Sequence, residues 1–170
     1  LKNIVLTGFM GTGKTKVGKI LSDMLSYRLI DSDSIIEKEQ KMSITDIFKE
    51  YGEPAFRDIE AHIIKRLSEM ENVVISTGGG VVLRESNIEN LRKNGVIVCL
   101  TASAEAILKR IEKNTDRPLL QVEDPLNRIN ELLKSREQFY RNADIIINTE
   151  GKSPQEIAEE IIEKVRGRLK

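Results

Sequence analysis

The chain is 170 residues long, and at roughly 150 residues per domain that length allows one folding unit with too little left for a second core. Its 27 Lys and Arg balance 27 Asp and Glu, so no basic excess exists to grip a polyanion, and its longest apolar runs fall far below the roughly 18 residues of a membrane span. The one cysteine, Cys99, has no partner for an internal disulfide and sits in an apolar run, where it reads as a small buried residue. Together these features predict a single domain over 1–170, in a reducing and cytoplasmic setting, with no nucleic-acid or membrane partner. The chain is expected to act as a monomer.

Asn3–Thr7 reads as a buried strand, followed by a helix from about Lys14 to Ser26 and a second strand over Tyr27–Ile30. Ser43 with Asp46 opens a shorter helix ending near Gly52. Further strands are predicted at Val73–Thr77, Val96–Leu100 and Asp144–Ile147. Between Ile111 and Asp124 the periodicity fails, and the polar stretch predicts a long loop of the kind that serves as a lid, over about 112–124. Asp124-Pro125 then opens a helix to about Tyr140. Ser153-Pro154-Gln155-Glu156 is a full reciprocal capping box for a last helix reaching about Leu169. Short apolar runs, most of them separated by helical patterns, predict an α/β protein with a parallel sheet covered on both faces.

The strongest chemical signal is Gly8-Phe9-Met10-Gly11-Thr12-Gly13-Lys14-Thr15, which fits G-x-x-x-x-G-K-[ST] and stands between a strand and a helix. Glycines let backbone N–H groups turn inward around phosphates, and the helix N-terminus adds its positive end. Lys14 then reaches the β and γ oxygens, and Thr15 offers a hydroxyl to Mg²⁺. The second strand is followed by Asp31-Ser32-Asp33; residues two apart in an extended segment point the same way, which predicts two carboxylates on the edge that carries the phosphate loop. One carboxylate suits Mg²⁺ held through water and the other an acceptor hydroxyl to orient or deprotonate. Either is equally suited to capping the next helix.

Gly78-Gly79-Gly80 ends the third apolar run, and bare backbone there lets a ligand approach closely. Arg136 lies three or four residues from Leu132, Leu133, Phe139 and Tyr140, so a guanidinium sits on an apolar helix face and needs an anionic partner, unless its stem snorkels past the edge. In Phe56-Arg57-Asp58-Ile59-Glu60, Glu60 either orients Arg57 or forms an ordinary surface pair with it. His62 is the only histidine, and with no cluster around it, it is read as incidental. Arg117-Pro118, in the polar loop, suits a mobile cation brought onto a transferring phosphoryl group.

The ordered set resembles the shikimate kinases, small P-loop kinases related in fold to the nucleoside monophosphate kinases. It comprises Gly8 to Thr15, Asp31-Ser32-Asp33, Phe56-Arg57 with Glu60, Gly78-Gly79-Gly80, Arg117-Pro118-Leu119-Leu120, and Arg136 with Tyr140. The resemblance implies a three-layer α/β/α P-loop kinase fold with a five-stranded parallel sheet, a mobile lid and a substrate-binding helical region over about 33–62. It implies transfer of the γ-phosphoryl group of ATP, with Mg²⁺, to the 3-hydroxyl of shikimate. ATP would meet Gly11, Thr12, Gly13, Lys14, Thr15, Arg110 and Arg117, with Arg110 against adenine; Asp31 and Thr15 would serve Mg²⁺. Asp33 would bind the acceptor hydroxyls and is the favoured base, Arg57 and Arg136 would grip the carboxylate, and Gly79 would contact the ring through its backbone. Lys14, Asp33 and Arg117 are thus the catalytic candidates. The family often has threonine between the aspartates, where this chain has Ser32.

Rival readings differ in acceptor or class. A gluconate kinase would keep the phosphate loop with other acceptor contacts. A GTP-dependent switch would carry N-K-x-D, and the chain has only Lys113-Asn114-Thr115-Asp116 in another order. An ATPase motor would end its third apolar run in an acidic pair rather than glycines.

Overall fold

The structure, a computed structural model, describes residues 2–113 and 121–168. Five strands, β1 (Asn3–Thr7), β2 (Arg28–Asp31), β3 (Val73–Ser76), β4 (Gly95–Thr101) and β5 (Ile145–Asn148), form one parallel sheet in the order β2-β3-β1-β4-β5. From central β1 the chain passes to the edge strand β2, returns inward through β3, and then crosses to the other side of β1 through β4 and β5. The crevice at that reversal opens beyond the C-terminal end of β1, where α/β sheets bind ligands.

Strand alternation divides the core into two layers. Ile4, Leu6, Val74, Val96, Val98 and Leu100 face helices α1 (Lys14–Leu25) and α7 (Pro154–Arg168). Val5, Val73, Ile75, Ile97 and Cys99 face the opposite layer, built by α2 (Ser32–Gln40), α3 (Ile44–Ser68), α4 (Glu85–Asn94), α5 (Ala104–Ile111) and α6 (Pro125–Arg141). The fold is therefore a three-layer α/β/α sandwich, with strands apolar on both faces as parallel sheets require. Among the described residues no helix is long and apolar enough to cross a membrane.

The expected elements are present, with informative shifts at their ends. Ser26 closes α1 in the left-handed region at φ 56°, and the Tyr27 N–H returns to the Ser22 carbonyl, so β2 starts at Arg28 rather than Tyr27. Asp144 is not in β5. It anchors the strand's entry, its carboxylate accepting the Ile97 N–H at 2.8 Å and the Arg92 Nε–H at 3.2 Å. The Ser43 helix does break at Gly52, whose φ of 84° and ψ of 168° are not helical, but helical structure resumes at once and α3 runs on through Pro54 to Ser68. The capping box at Ser153 is formed in both directions, at 2.6 and 3.1 Å.

One expectation needs correction. Asp31-Ser32-Asp33 is not an extended segment, because the Asp31 carboxylate captures the Ser34 N–H at 3.0 Å and starts α2 as its N-cap. Asp31 alone is extended; Ser32 and Asp33 already lie in the first helical turn. The two carboxylates reach the same edge through a strand end and a helix start, not through strand alternation.

Candidate active site

A cleft of about 770 Å³ lies beyond the C-terminal strand ends. It is lined by the loop Phe9 to Thr15, by Asp31 and Asp33, by Gly78, Gly79 and Gly80, and by Arg57, Glu60, Arg110 and Arg136. Nearly every residue singled out from sequence thus meets in one place. Arg117 and most of the expected lid lie outside the described residues.

The glycine-loop end is built on β1 and α1. Gly11 and Gly13 adopt φ of 76° and 96°, which lets the loop turn back on itself and enter α1. Gly13 occupies the N-cap without a side-chain cap, so the first-turn N–H groups of a 12-residue helix remain directed at the cleft. Lys14 Nζ donates to the Gly8 and Phe9 carbonyls at 2.6 and 2.9 Å, and Thr12 Oγ1 donates to the Phe9 carbonyl at 2.7 Å. Arg110, carried by α5, donates to the Gly11 carbonyl at 3.1 Å and to Thr149 Oγ1 at 3.0 Å. It therefore ties the loop to the end of β5, and this tie had no signal in the sequence.

The opposite end of the cleft is built on α2, α3, α6 and the three glycines. Asp33 has a buried Oδ1 without a hydrogen-bond partner among the described residues. Its pKa is pushed up to about 6, first by burial and then by the Asp31 charge, against the pull of Lys14 and Arg57. Arg57 is held by Glu60 at 2.8 Å and Glu53 at 3.3 Å, and lies over the rings of Phe56 and Phe48 at 5.1 and 6.0 Å. Glu60 is buried, and burial raises its pKa although Arg57 opposes the shift. It orients Arg57; the surface-pair alternative does not hold.

Arg136 is half-buried on α6, with its guanidinium 5.8 Å from the Phe9 ring centroid and no carboxylate partner among the described residues. Its chain does not snorkel away, for it lines the cleft.

The glycines differ from the expectation that bare backbone serves a ligand alone. A Cβ on Gly78 would lie 2.6 Å from Asp33 Oδ1, and one on Gly80 would collide with the Arg57 guanidinium. Space at those two positions admits the protein's own Asp33 and Arg57. At Gly79 a Cβ would find only ordinary contacts, 3.6 Å from Arg136 Nη1 and 3.7 Å from the Tyr140 hydroxyl. Ser32, noted in the sequence only as a departure, accepts the Gly78 N–H on its hydroxyl at 3.2 Å.

Mg²⁺ keeps most of its waters and needs few protein oxygens. The donor set suits it: Thr15 and Asp31 both line the cleft, and the Asp31 cap bond uses Oδ1 only, leaving Oδ2. His62 takes no part in the cleft, and Cys99 is buried in the core with its thiol pKa raised by burial.

Comparison with known proteins agrees with this geometry. The family model for shikimate kinase matches residues 10–166. A shikimate kinase of Caldanaerobacter subterraneus subsp. tengcongensis is 53% identical over 171 residues, covering 99% of this chain and 100% of that protein. The solved shikimate kinase of Acinetobacter baumannii in complex with shikimate superposes with a TM-score of 0.93 at 36% identity, over 99% of this chain and 94% of that one. A gluconokinase of Sinorhizobium meliloti, at 21% identity and a TM-score of 0.64, shares the fold alone, with 99% of this chain and 93% of that one covered.

Proposed function

The chain belongs to the shikimate kinase family, and on that footing we propose which of its own residues carry the reaction. The protein catalyses the ATP-dependent phosphorylation of shikimate. The observation that carries the residue assignment is the meeting, in one cleft, of a phosphate loop, a buried Asp33 oxygen with no partner among the described residues, and the two arginines Arg57 and Arg136.

The ATP phosphates bind across Gly11, Thr12 and Gly13 at the N-terminus of α1. Lys14 exchanges its loop carbonyls for the β and γ oxygens, and Arg110 lies against adenine. Thr15 and, through water, Asp31 would hold Mg²⁺, which would supply charge neutralisation at the phosphates. Arg57 and Arg136 converge on the substrate carboxylate, since a planar guanidinium pairs with carboxylate through parallel N–H···O bonds. Gly79 presents backbone to the ring.

With the acid anchored, the 3-hydroxyl oxygen meets Asp33 and attacks the γ-phosphorus. The bond to the β,γ-bridging oxygen breaks, ADP leaves with that electron pair, and the hydroxyl proton passes to Asp33. An Asp33 poised near pH 6 is ionised enough to accept that proton at neutral pH. Arg117 serves the same transfer as the lid cation over about 112–124, and the helices over about 33–62 form the acceptor-binding region. Both ends of the cleft come from one chain, so a monomer suffices to act on a small acid.

The test is ADP release from MgATP with shikimate, with gluconate and without acceptor. Release only with shikimate is expected. Release indifferent to the acceptor would return Arg57 and Arg136 to structural roles.

A further inference from the structure

Tyr140 lies behind the cleft wall rather than in it. It is 7% exposed, sits one helical turn beyond Arg136 on α6, and is absent from the cleft lining. Its hydroxyl donates to the Gly79 carbonyl at 2.8 Å, across 61 residues of sequence. A phenol has one hydrogen, so once that is given to Gly79, only lone pairs remain for Arg136. The guanidinium stands beside the same point of the loop, for a Cβ on Gly79 would lie 3.6 Å from Arg136 Nη1 and 3.7 Å from the Tyr140 hydroxyl. Its charge draws the phenol's pKa down against a larger upward push from burial, so the phenol stays protonated and the donor is kept. The Tyr140 O–H thus holds the Gly79 C=O with the Arg136 guanidinium close to both.

The Tyr140 hydroxyl joins two parts of the acceptor site that share no secondary structure. Arg136 comes from α6, whereas Gly79 comes from the loop after β3. The loop is also held from its other side, where Ser32 accepts the Gly78 N–H. A peptide unit is planar and trans, so fixing the Gly79 carbonyl against Tyr140 turns the Gly80 N–H of the same unit away from Tyr140. A triglycine has no side chain to lock its own backbone, and such locks must come from neighbours.

We infer that Tyr140 is a positioning residue for shikimate: its hydroxyl sets the Arg136 guanidinium and the Gly79 peptide in one shared geometry before the substrate arrives. This rests on the acceptor reading of Arg136 and Gly79 given above. Tyr140 touches neither substrate nor nucleotide, and its contribution is preorganisation.

The experiment compares Tyr140→Phe, Arg136→Ala and the double variant in steady-state assays with shikimate and MgATP, alongside thermal unfolding. Phe keeps the buried ring and removes only the hydroxyl. Tyr140→Phe should raise the KM for shikimate about 5- to 10-fold, the upper range of one neutral hydrogen bond, while the KM for MgATP moves less than about twofold. In the Arg136→Ala background, Tyr140→Phe should raise the shikimate KM by less than about twofold, because the arginine it positions is gone. A Tyr140→Phe enzyme with a lowered melting temperature but an unchanged shikimate KM would make Tyr140 a core residue only and overturn the proposal. Full additivity in the double variant would overturn it too. If Arg136→Ala itself left the shikimate KM unchanged, the acceptor reading would fall and this proposal with it, an outcome distinct from failure at Tyr140 alone.

Discussion

Glu60 holds Arg57 across 2.8 Å from a position only 1% exposed, so the arginine we propose for the acceptor carboxylate is aimed by a carboxylate the solvent scarcely reaches. Glu53 adds a second contact at 3.3 Å, but from the surface, with 55% of its side chain exposed. Because a buried pair is oriented by its buried member, removing Glu60 should matter far more than removing Glu53.

Glu60→Ala should therefore raise the shikimate KM about tenfold and lower stability by about 3 kcal/mol, the scale of leaving one partner of a buried pair behind. Glu53→Ala should change either quantity by less than about 1 kcal/mol equivalent. Steady-state kinetics and urea unfolding of both variants check this. Equal effects of the two substitutions would show that Glu60 does not aim Arg57.

Activity should fall on the acid side with the ionisation of Asp33, whose pKa stands at about 6. In the role proposed for Asp33 only its carboxylate accepts the hydroxyl proton, so kcat/KM should decline about tenfold per pH unit below that value. The Asp31 charge is the second cause of the raised pKa, after burial. Asp31→Asn should accordingly shift the acidic limb to lower pH. A limb that stays in place in that variant would assign it to another group.

Much of the fold was legible because parallel strands and amphipathic helices have different periods, and because Ser153-Pro154-Gln155-Glu156 and Asp124-Pro125 carry their helix starts in side-chain chemistry. The phosphate loop was legible because its residues are contiguous. What escaped depends on contacts between distant segments. The Tyr140 bond to Gly79, the Ser32 bond to Gly78 and the Arg110 bonds to Gly11 and Thr149 span 61, 46, 99 and 39 residues, and no local pattern encodes them. The extended reading of Asp31 to Asp33 failed for a local reason: an aspartate at a strand end is also a strong N-cap, and the cap won.

Gly78→Ala should damage catalysis without disturbing nucleotide binding. The new methyl group would sit 2.6 Å from Asp33 Oδ1 and push the carboxylate off its place. A displacement of about 1 Å costs on the order of 100-fold in rate. The expected outcome is a kcat lower by about that factor with the KM for MgATP within about twofold of the parent. Gly79→Ala, whose Cβ meets only ordinary contacts at 3.6 and 3.7 Å, should lower kcat far less. Parallel kinetics of the two variants decide it, and the reverse order would sever Gly78 from Asp33.

Asp33 should also be a place where function opposes stability. Its pKa rises from 3.8 to about 6 in the folded protein, so between those values the native state binds more protons than the unfolded one. Stability is then greatest at low pH with respect to this group and is lost as pH rises through about 6. At about 1.4 kcal/mol per unit the full shift would cost about 3 kcal/mol at neutral pH, and solvent screening of a partly exposed group reduces that to about 1–2 kcal/mol. Asp33→Asn keeps the shape and removes the charge. It should unfold at higher urea than the parent at pH 7.5, by about 1–2 kcal/mol, and the gain should vanish near pH 4, where the parent carboxyl is protonated in the fold. The same variant should lose most of its kcat. An inactive enzyme that gains nothing at pH 7.5 would mean that Asp33 carries its charge in the cleft without strain, its buried oxygen already satisfied by solvent.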